Sequence, residues 1–147
     1  IIGVDPAVSS VAMAKSRASK FNSKISFIES SAESIDLESA SFDCVLIGYS
    51  LCTIPDPLKA LSETKRLLKP NGSLFFMEHG LAPEENIKKW QHRLTPGWKK
   101  IAGGCNLNRN IEELIQEGGF QFKELKKKYI KGPKIAAFQY YGEAIKK

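Results

Sequence analysis

Residues 42–48, Phe42-Asp43-Cys44-Val45-Leu46-Ile47-Gly48, are apolar nearly throughout. A short run without alternation marks a strand covered on both faces, the kind found at the centre of a parallel sheet. That one run constrains the rest, because a parallel neighbour can be reached only through a crossover, normally a helix. The sequence supplies it. Asp56 and Pro57 are the residue types favoured at an N-cap and at the first helical position. Leu58, Leu61 and Leu68 give the helix one apolar side, and Lys69-Pro70-Asn71-Gly72 is a turn signal. Ser73 to Met77 then form the next strand, which runs into Glu78-His79-Gly80.

The flanks repeat the pattern. Ile1 to Val4 read as a buried strand stopped by Asp5-Pro6. A helix follows, with Pro6 in its first turn, Val8, Val11 and Ala12 facing inward, and Lys15, Arg17 and Lys20 facing outward. Ile25 to Ile28 form a second strand, and the polar stretch 29–41 is a loop or broken helix. Downstream, residues 83–105 are irregular and hold Trp90, Trp98 and Gly103-Gly104. A helix over about Asn110–Glu117 follows, with Asn110 and Glu113 at capping-box spacing and Gly118-Gly119 at its end. The runs Phe120–Ile130 and Ile135–Ile145 are strand-like, and Lys131-Gly132-Pro133 between them suits a hairpin. Strands alternating with helices predict a doubly wound α/β domain over 1–147, and the hairpin predicts an antiparallel edge. Dinucleotide-binding Rossmann domains do not usually end in this way.

Composition narrows the function classes. With 147 residues, 42% of them apolar, the chain can build one ordinary core. No apolar stretch approaches the roughly 20 residues that span a bilayer. Ile1 starts directly on an apolar strand, with neither an initiator Met nor a basic leader. The net charge of +6 gathers in Lys123, Lys126, Lys127, Lys128, Lys131 and Lys134. Without an aromatic platform or recognition helix, such a run reads as a solvated edge strand, not as a nucleic-acid surface. Cys44, Cys52 and Cys105 are odd in number and lack metal-like spacing. They suit a reducing cytosol and small apolar filler, Cys44 most clearly because it sits within a strand. No metal site is expected. His92, among Lys88, Lys89 and Arg93, reads as a surface residue.

Three motifs in order carry a resemblance: Ser41-Phe42-Asp43-Cys44-Val45, Leu51-Cys52-Thr53-Ile54-Pro55-Asp56-Pro57, and Arg66-Leu67-Leu68-Lys69-Pro70-Asn71-Gly72. Together they resemble the class I S-adenosylmethionine-dependent methyltransferases of the type 11 group, which includes the ubiquinone and menaquinone C-methyltransferases. Phe76-Met77-Glu78-His79 and Gly104-Cys105-Asn106-Leu107-Asn108-Arg109 are similar to the alkyl-thiol methyltransferases within it. The resemblance implies a Rossmann-like seven-stranded sheet of order 3-2-1-4-5-7-6, in which this chain begins at strand two. Strand one and its Gly-x-Gly-x-Gly loop are then missing, so an N-terminally incomplete domain is expected, with a break between the strands at Ile1 and Asp43.

The resemblance also implies a chemistry. The cofactor is S-adenosylmethionine, with binding expected to be impaired here. Asp5, beside Pro6, would accept the ribose hydroxyls, Ser31-Ala32-Glu33 would lie along the adenine, and Gly48-Tyr49-Ser50 would admit the methionine part. His79, at a strand end, is the expected base or orienting group for the acceptor, with Glu78 as a weaker alternative. Trp90 and Trp98, with Leu94 and Ile101, would line an apolar wall, and Asn106 and Arg109 would orient it. The expected activity is methyl transfer to a small apolar acceptor: a thiol, a quinone-like ring or a lipid-like molecule. The alternative is a non-catalytic fragment that self-associates as a homodimer through exposed sheet edges. The expected location is cytoplasmic.

Overall fold

In the computed structural model, which describes residues 1–21 and 24–147, strands and helices alternate along most of the chain. They run β1 (Ile2–Val4), α1 (Val8–Ala18), β2 (Ser26–Ile28), β3 (Phe42–Gly48), α2 (Pro57–Leu67) and β4 (Leu68–His79). Then come α3 (Glu85–Ile101), α4 (Ile111–Glu117), β5 (Phe120–Tyr129), α5 (Lys134–Ala137) and β6 (Phe138–Lys146). Two sheets result. β1 pairs parallel with β2, while the larger, mixed sheet has the order β3-β4-β6-β5, with β3 and β4 parallel and the other pairs antiparallel. Among the described residues no ladder joins β1 to β3. The α/β architecture with a terminal antiparallel hairpin is the one expected.

Register decides which face of the larger sheet is dry. Paired residues point the same way, so Val45 and Leu74 share a face with Ala144, and Ile47 and Phe76 share it with Gly142. Leu74, Phe76 and Ala144 on that face join Leu61 of α2 and Ile111 and Ile115 of α4 in the buried core. Each fully buried Leu, Ile or Phe contributes about 1.5–3 kcal/mol. The opposite face is open: Leu46 is 76% exposed, Phe75 41% and Met77 46%. β3 therefore lies at the edge of its sheet with one bare face, not at a centre covered on both, because no strand pairs with its outer side among the described residues. Cys44, on that bare face, is exposed and not filler.

Several local expectations need correction. Val8 is 64% exposed and Ala12 is exposed, so Val11 alone is the buried residue of α1. Leu58 is 42% exposed, and Leu68 belongs to the strand beyond α2. Lys69-Pro70-Asn71-Gly72 is no simple turn. It lies within β4, where the partner of Phe42 is Leu68 and that of Cys44 is already Ser73, so the extra residues bulge out of the ladder. The irregular stretch expected at 83–105 contains α3, a regular helix despite Pro96 in its interior. Ile135 falls in the one-turn helix α5, and β6 starts only at Phe138.

Other expectations hold. Asp56 Oδ1 caps α2 by accepting from the Lys59 amide at 3.0 Å, and Asn110 caps α4 through the Glu113 amide. Lys123, Lys126, Lys127 and Lys128 lie exposed on β5 at the sheet's edge. α3 is fixed by Gln91, which is fully buried. Its Oε1 accepts from the Ala82 amide at 2.9 Å, and its Nε2 donates to the carbonyls of Gly80 and Ile135, each at 3.0 Å. No helix among the described residues is long and apolar enough to cross a membrane.

Candidate functional site

Open α/β sheets take ligands beyond the carboxyl ends of their strands. At the end of β1, the Asp5 amide donates to the Ile28 carbonyl at 3.2 Å, which sets the tips of β1 and β2 side by side. Asp5 Oδ1 accepts from the Ala7 amide at 2.7 Å. Pro6 is exposed. After β2, Ser31 Oγ accepts from the Glu33 amide at 3.2 Å, and Ala32 is half-buried. Glu33 Oε1 accepts from the Asp56 amide at 2.9 Å, tying this loop to the start of α2.

At the end of β3, Tyr49 adopts φ +51° while its amide donates to the Met77 carbonyl at 2.9 Å. A left-handed aromatic residue costs about 1–2 kcal/mol, and such strain gathers at ligand sites. A side chain added at Gly48 would meet nothing within 4 Å, so open space lies beside it. Ser50 Oγ donates to the Gly48 carbonyl at 3.0 Å. Glu78 organises this loop: its Oε1 accepts from the amides of Ser50 at 2.7 Å and Leu51 at 3.1 Å. Glu78 is wholly buried and shares the core face with Leu74 and Phe76. The acceptor contact expected of it is therefore replaced by a loop-holding role, because alternation along β4 turns it away from the face of His79.

His79 ends β4 half-buried, and its Nε2 stands 3.0 Å from Cys105 Sγ. The ligating atoms of Cys52, His79 and Cys105 all lie within 4.8 Å of one another. Sequence spacing gave no sign of this trio, since loops from three separate elements bring it together. Asn106 braces it, donating from both its amide and its Nδ2 to the Cys52 carbonyl at 2.8 Å. Arg109 Nη1 donates to the carbonyls of Leu51 and Ile54. Asn106 and Arg109 thus fix the loop after β3 and not a lid. Gly80 makes the approach possible, because a Cβ there would lie 2.7 Å from the Arg109 carbonyl oxygen.

Electrostatics follow burial. Desolvation pushes the Cys52 thiol up to about 12, opposed by the Thr53 hydroxyl and reinforced by Glu78 and Cys105. Burial pushes His79 down, favouring the neutral ring, and pushes Glu78 up against the amide bonds that favour its charge. Burial also lowers Arg109, while Cys52, Cys105 and Glu78 act on it in the opposite sense.

The two tryptophans separate. Trp98 is half-buried, whereas Trp90 is 52% exposed, with the Arg93 guanidinium 5.7 Å from its ring. Leu94 and Ile101 are exposed as well. The expected apolar wall is therefore an outward stripe on a regular helix, and Trp98 alone of the four turns partly inward. A cavity of about 500 Å³ lies between the last turn of α1 and the start of β2, lined by Lys15, Ala18 and Phe27 among others. That is the amino end of β2, away from the strand tips where the chemistry gathers.

An adenosyl cofactor is tested by these groups. The Asp5 carboxylate and the open space at Gly48 fit a ribose and a methionine part, and the Glu33–Asp56 bond links the loops between them. Comparison with known proteins identifies the family. The family profile described as a methyltransferase domain matches residues 1–76. Thiol S-methyltransferase TMT1B of Rattus norvegicus is 39% identical over 90 residues, which are 60% of this chain and 37% of that protein. The ubiquinone/menaquinone biosynthesis C-methyltransferase UbiE of Rhizobium etli is 31% identical over 122 residues, 80% of this chain and 47% of that protein. The chain spans less than half the length of these two curated relatives. A crystal structure of a SAM-dependent methyltransferase from Methanosarcina mazei superposes with a TM-score of 0.79 at 18% identity, covering 99% of this chain and 81% of that one. At that identity the likeness shows the shared Rossmann-like fold. With a profile match across half its residues and the fold to go with it, the chain belongs to the methyltransferase domain family.

Proposed function

We propose that this chain takes part in S-adenosylmethionine-dependent methyl transfer to a small thiol. The observation that carries the reading is His79, half-buried at the carboxyl end of β4 and in contact with Cys105. Similarity to a thiol S-methyltransferase supports the acceptor class. The cofactor, when bound, supplies a methyl group already activated on a sulfonium. The chain's own work is alignment and exclusion of water. Asp5, next to Pro6, holds the ribose; Ser31, Ala32 and Glu33 lie along the adenine; Gly48, Tyr49 and Ser50 admit the methionine part. His79 orients the acceptor, and Trp98 borders it, with Trp90 further out.

Cofactor binding by this chain is weak in this reading, because Asp5 and Gly48 stand at the tips of strands in two sheets that share no ladder among the described residues. Calorimetry that finds micromolar affinity would overturn that point. At millimolar S-adenosylmethionine with an alkyl thiol, mass spectrometry should detect the methyl thioether. His79→Ala should lower its formation by about 100-fold or more with the circular dichroism unchanged. Transfer indifferent to His79→Ala removes His79 from the site.

A second reading, self-association, is favoured by the bare face that carries Leu46, Phe75 and Met77 beside the open edge of β3. Covering such a face with another copy removes apolar area from water and pairs the edge. Light scattering that reports a monomer at all concentrations counts against it.

A further inference from the structure

Two cysteine sulfurs and an imidazole nitrogen converge where the sequence shows no metal motif. Cys52 lies in the loop after β3, His79 at the end of β4 and Cys105 beyond α3, with their ligating atoms within 4.8 Å of one another. A tetrahedral zinc ion, with bonds of about 2.3 Å to sulfur and about 2.0 Å to nitrogen, sets its ligand atoms roughly 3.5–3.8 Å apart. Shifts of a fraction of an ångström to about one ångström close the trio on such an ion.

The surroundings point the same way. His79 Nδ1 and Gln139 Oε1, at paired positions of β4 and β6, are buried without a hydrogen-bond partner. Buried polar atoms left in that condition mark a place where an ion or water belongs. Gln139 pairs with His79 across the ladder, and a metal-bound imidazole would call on a carboxamide at that position to accept from its second ring nitrogen. The Asn106 brace on Cys52 holds two of the ligand-bearing loops together. Arg109 Nη1 donates to the Leu51 carbonyl, one residue before Cys52, and so steadies the same loop.

We propose that Cys52, His79 and Cys105 bind a zinc-class divalent ion, with the fourth position open to the sulfur of the thiol acceptor. The choice of occupant for that position rests on the thiol reading given above; the ion site does not. Two thiolates, a neutral imidazole and a divalent ion sum to zero charge. A water would fill the fourth position at rest; an incoming thiol would displace it, a metal–sulfur bond replacing a metal–oxygen bond and the thiol proton passing to solvent. The bound sulfur is then a thiolate at neutral pH, where a free thiol of pKa about 8.5 is mostly protonated. Its lone pair attacks the methyl carbon, the carbon–sulfonium bond breaks toward the cofactor's sulfur, and the neutral thioether, a poor ligand, departs.

The test is cobalt(II) titration of the metal-free chain, kept reduced with a phosphine. One equivalent should produce the visible bands of tetrahedral cobalt and a thiolate charge-transfer band, and zinc should bleach both. Cys105→Ser and His79→Asn should each weaken binding at least tenfold, while Cys44→Ser on the bare face leaves it unchanged. Circular dichroism confirms that the variants are folded. A small alkyl thiol should shift the bands. Absence of tetrahedral bands, or the same affinity in both ligand variants, overturns the ion site; bands that ignore the thiol overturn the open position. The readout needs neither cofactor nor turnover, so methyl transfer without cobalt binding sinks this inference alone, and cobalt binding without transfer sinks only the catalytic reading.

Discussion

A carboxylate with no exposure must be held by donors, and Glu78 is held by the loop it organises. Its Oε1 takes up the amides of Ser50 and Leu51, and burial raises its proton affinity while those amides oppose the rise. Replacing it strands two amides at the edge of the core, each costing about 1–3 kcal/mol when left unpaired. Glu78→Ala should therefore destabilise by about 2–5 kcal/mol in urea unfolding. A loss below about 1 kcal/mol would mean the amides find water instead. This residue also shows what could be read from the sequence. Asp5, Gly48 and His79 were legible as site candidates because strand ends are, and ligands meet strand ends. The direction of Glu78 depended on the pleat, and Cys52, Cys105 and Arg109 depended on how three loops close on one another. None of those is a local property.

At the scale of elements, α2 does more than cover the core. Arg66 fans its guanidinium across the polar stretch before β3, donating to the carbonyls of Ile35 at 2.8 Å and Leu37 at 2.7 Å and to Ser39 Oγ at 3.0 Å. Glu63 holds that fan and accepts from the Ile35 amide at 3.1 Å. The Arg66 guanidinium keeps the Glu63 carboxyl below the usual carboxylate range. A lowered folded value means the contribution is complete above the unfolded value. As the pH falls through the ordinary carboxylate range the unfolded chain binds its proton first, and the contribution fades until the folded carboxylate is protonated too. Arg66→Ala should lower the melting temperature at neutral pH and flatten its decline toward acid; an unchanged acid slope would remove the pair from the pH response. The helix caps at Asp56 and Asn110 were legible because capping is local chemistry. α3 was hidden by Pro96-Gly97 in mid-helix and by its reliance on Gln91, whose three bonds are tertiary. The start of β4 was hidden because Pro70-Asn71-Gly72 is as good in a bulge as in a turn.

The whole molecule is divided between a strong sheet and a weak one. β4 and β6 each have two neighbours and bury Leu74, Phe76 and Ala144 beneath α2 and α4. β1 and β2 are three residues each and, among the described residues, pair only with one another, and two-stranded pairs are marginal alone. The loop between β2 and β3 is tied to α2 by the Arg66 fan, by the Glu33–Asp56 bond, and by the amides of Ala40 and Ser41, which donate to the carbonyls of Arg66 and Leu67. Hydrogen exchange should resolve the difference. The amides of Asp5 and Ser26, which donate to Ile28 and Ile1 across the small sheet, should open at a small fraction of the global free energy, while those of Leu74 to Phe76 approach it. Equal protection in both sheets would show one cooperative unit and undo the division. The same measurement bears on the cofactor. In the proposed reading a nucleoside held between Asp5 and Gly48 would link the two sheets directly, so saturating S-adenosylmethionine should slow exchange at Asp5 more than at Leu74, whose protection is already limited by global unfolding.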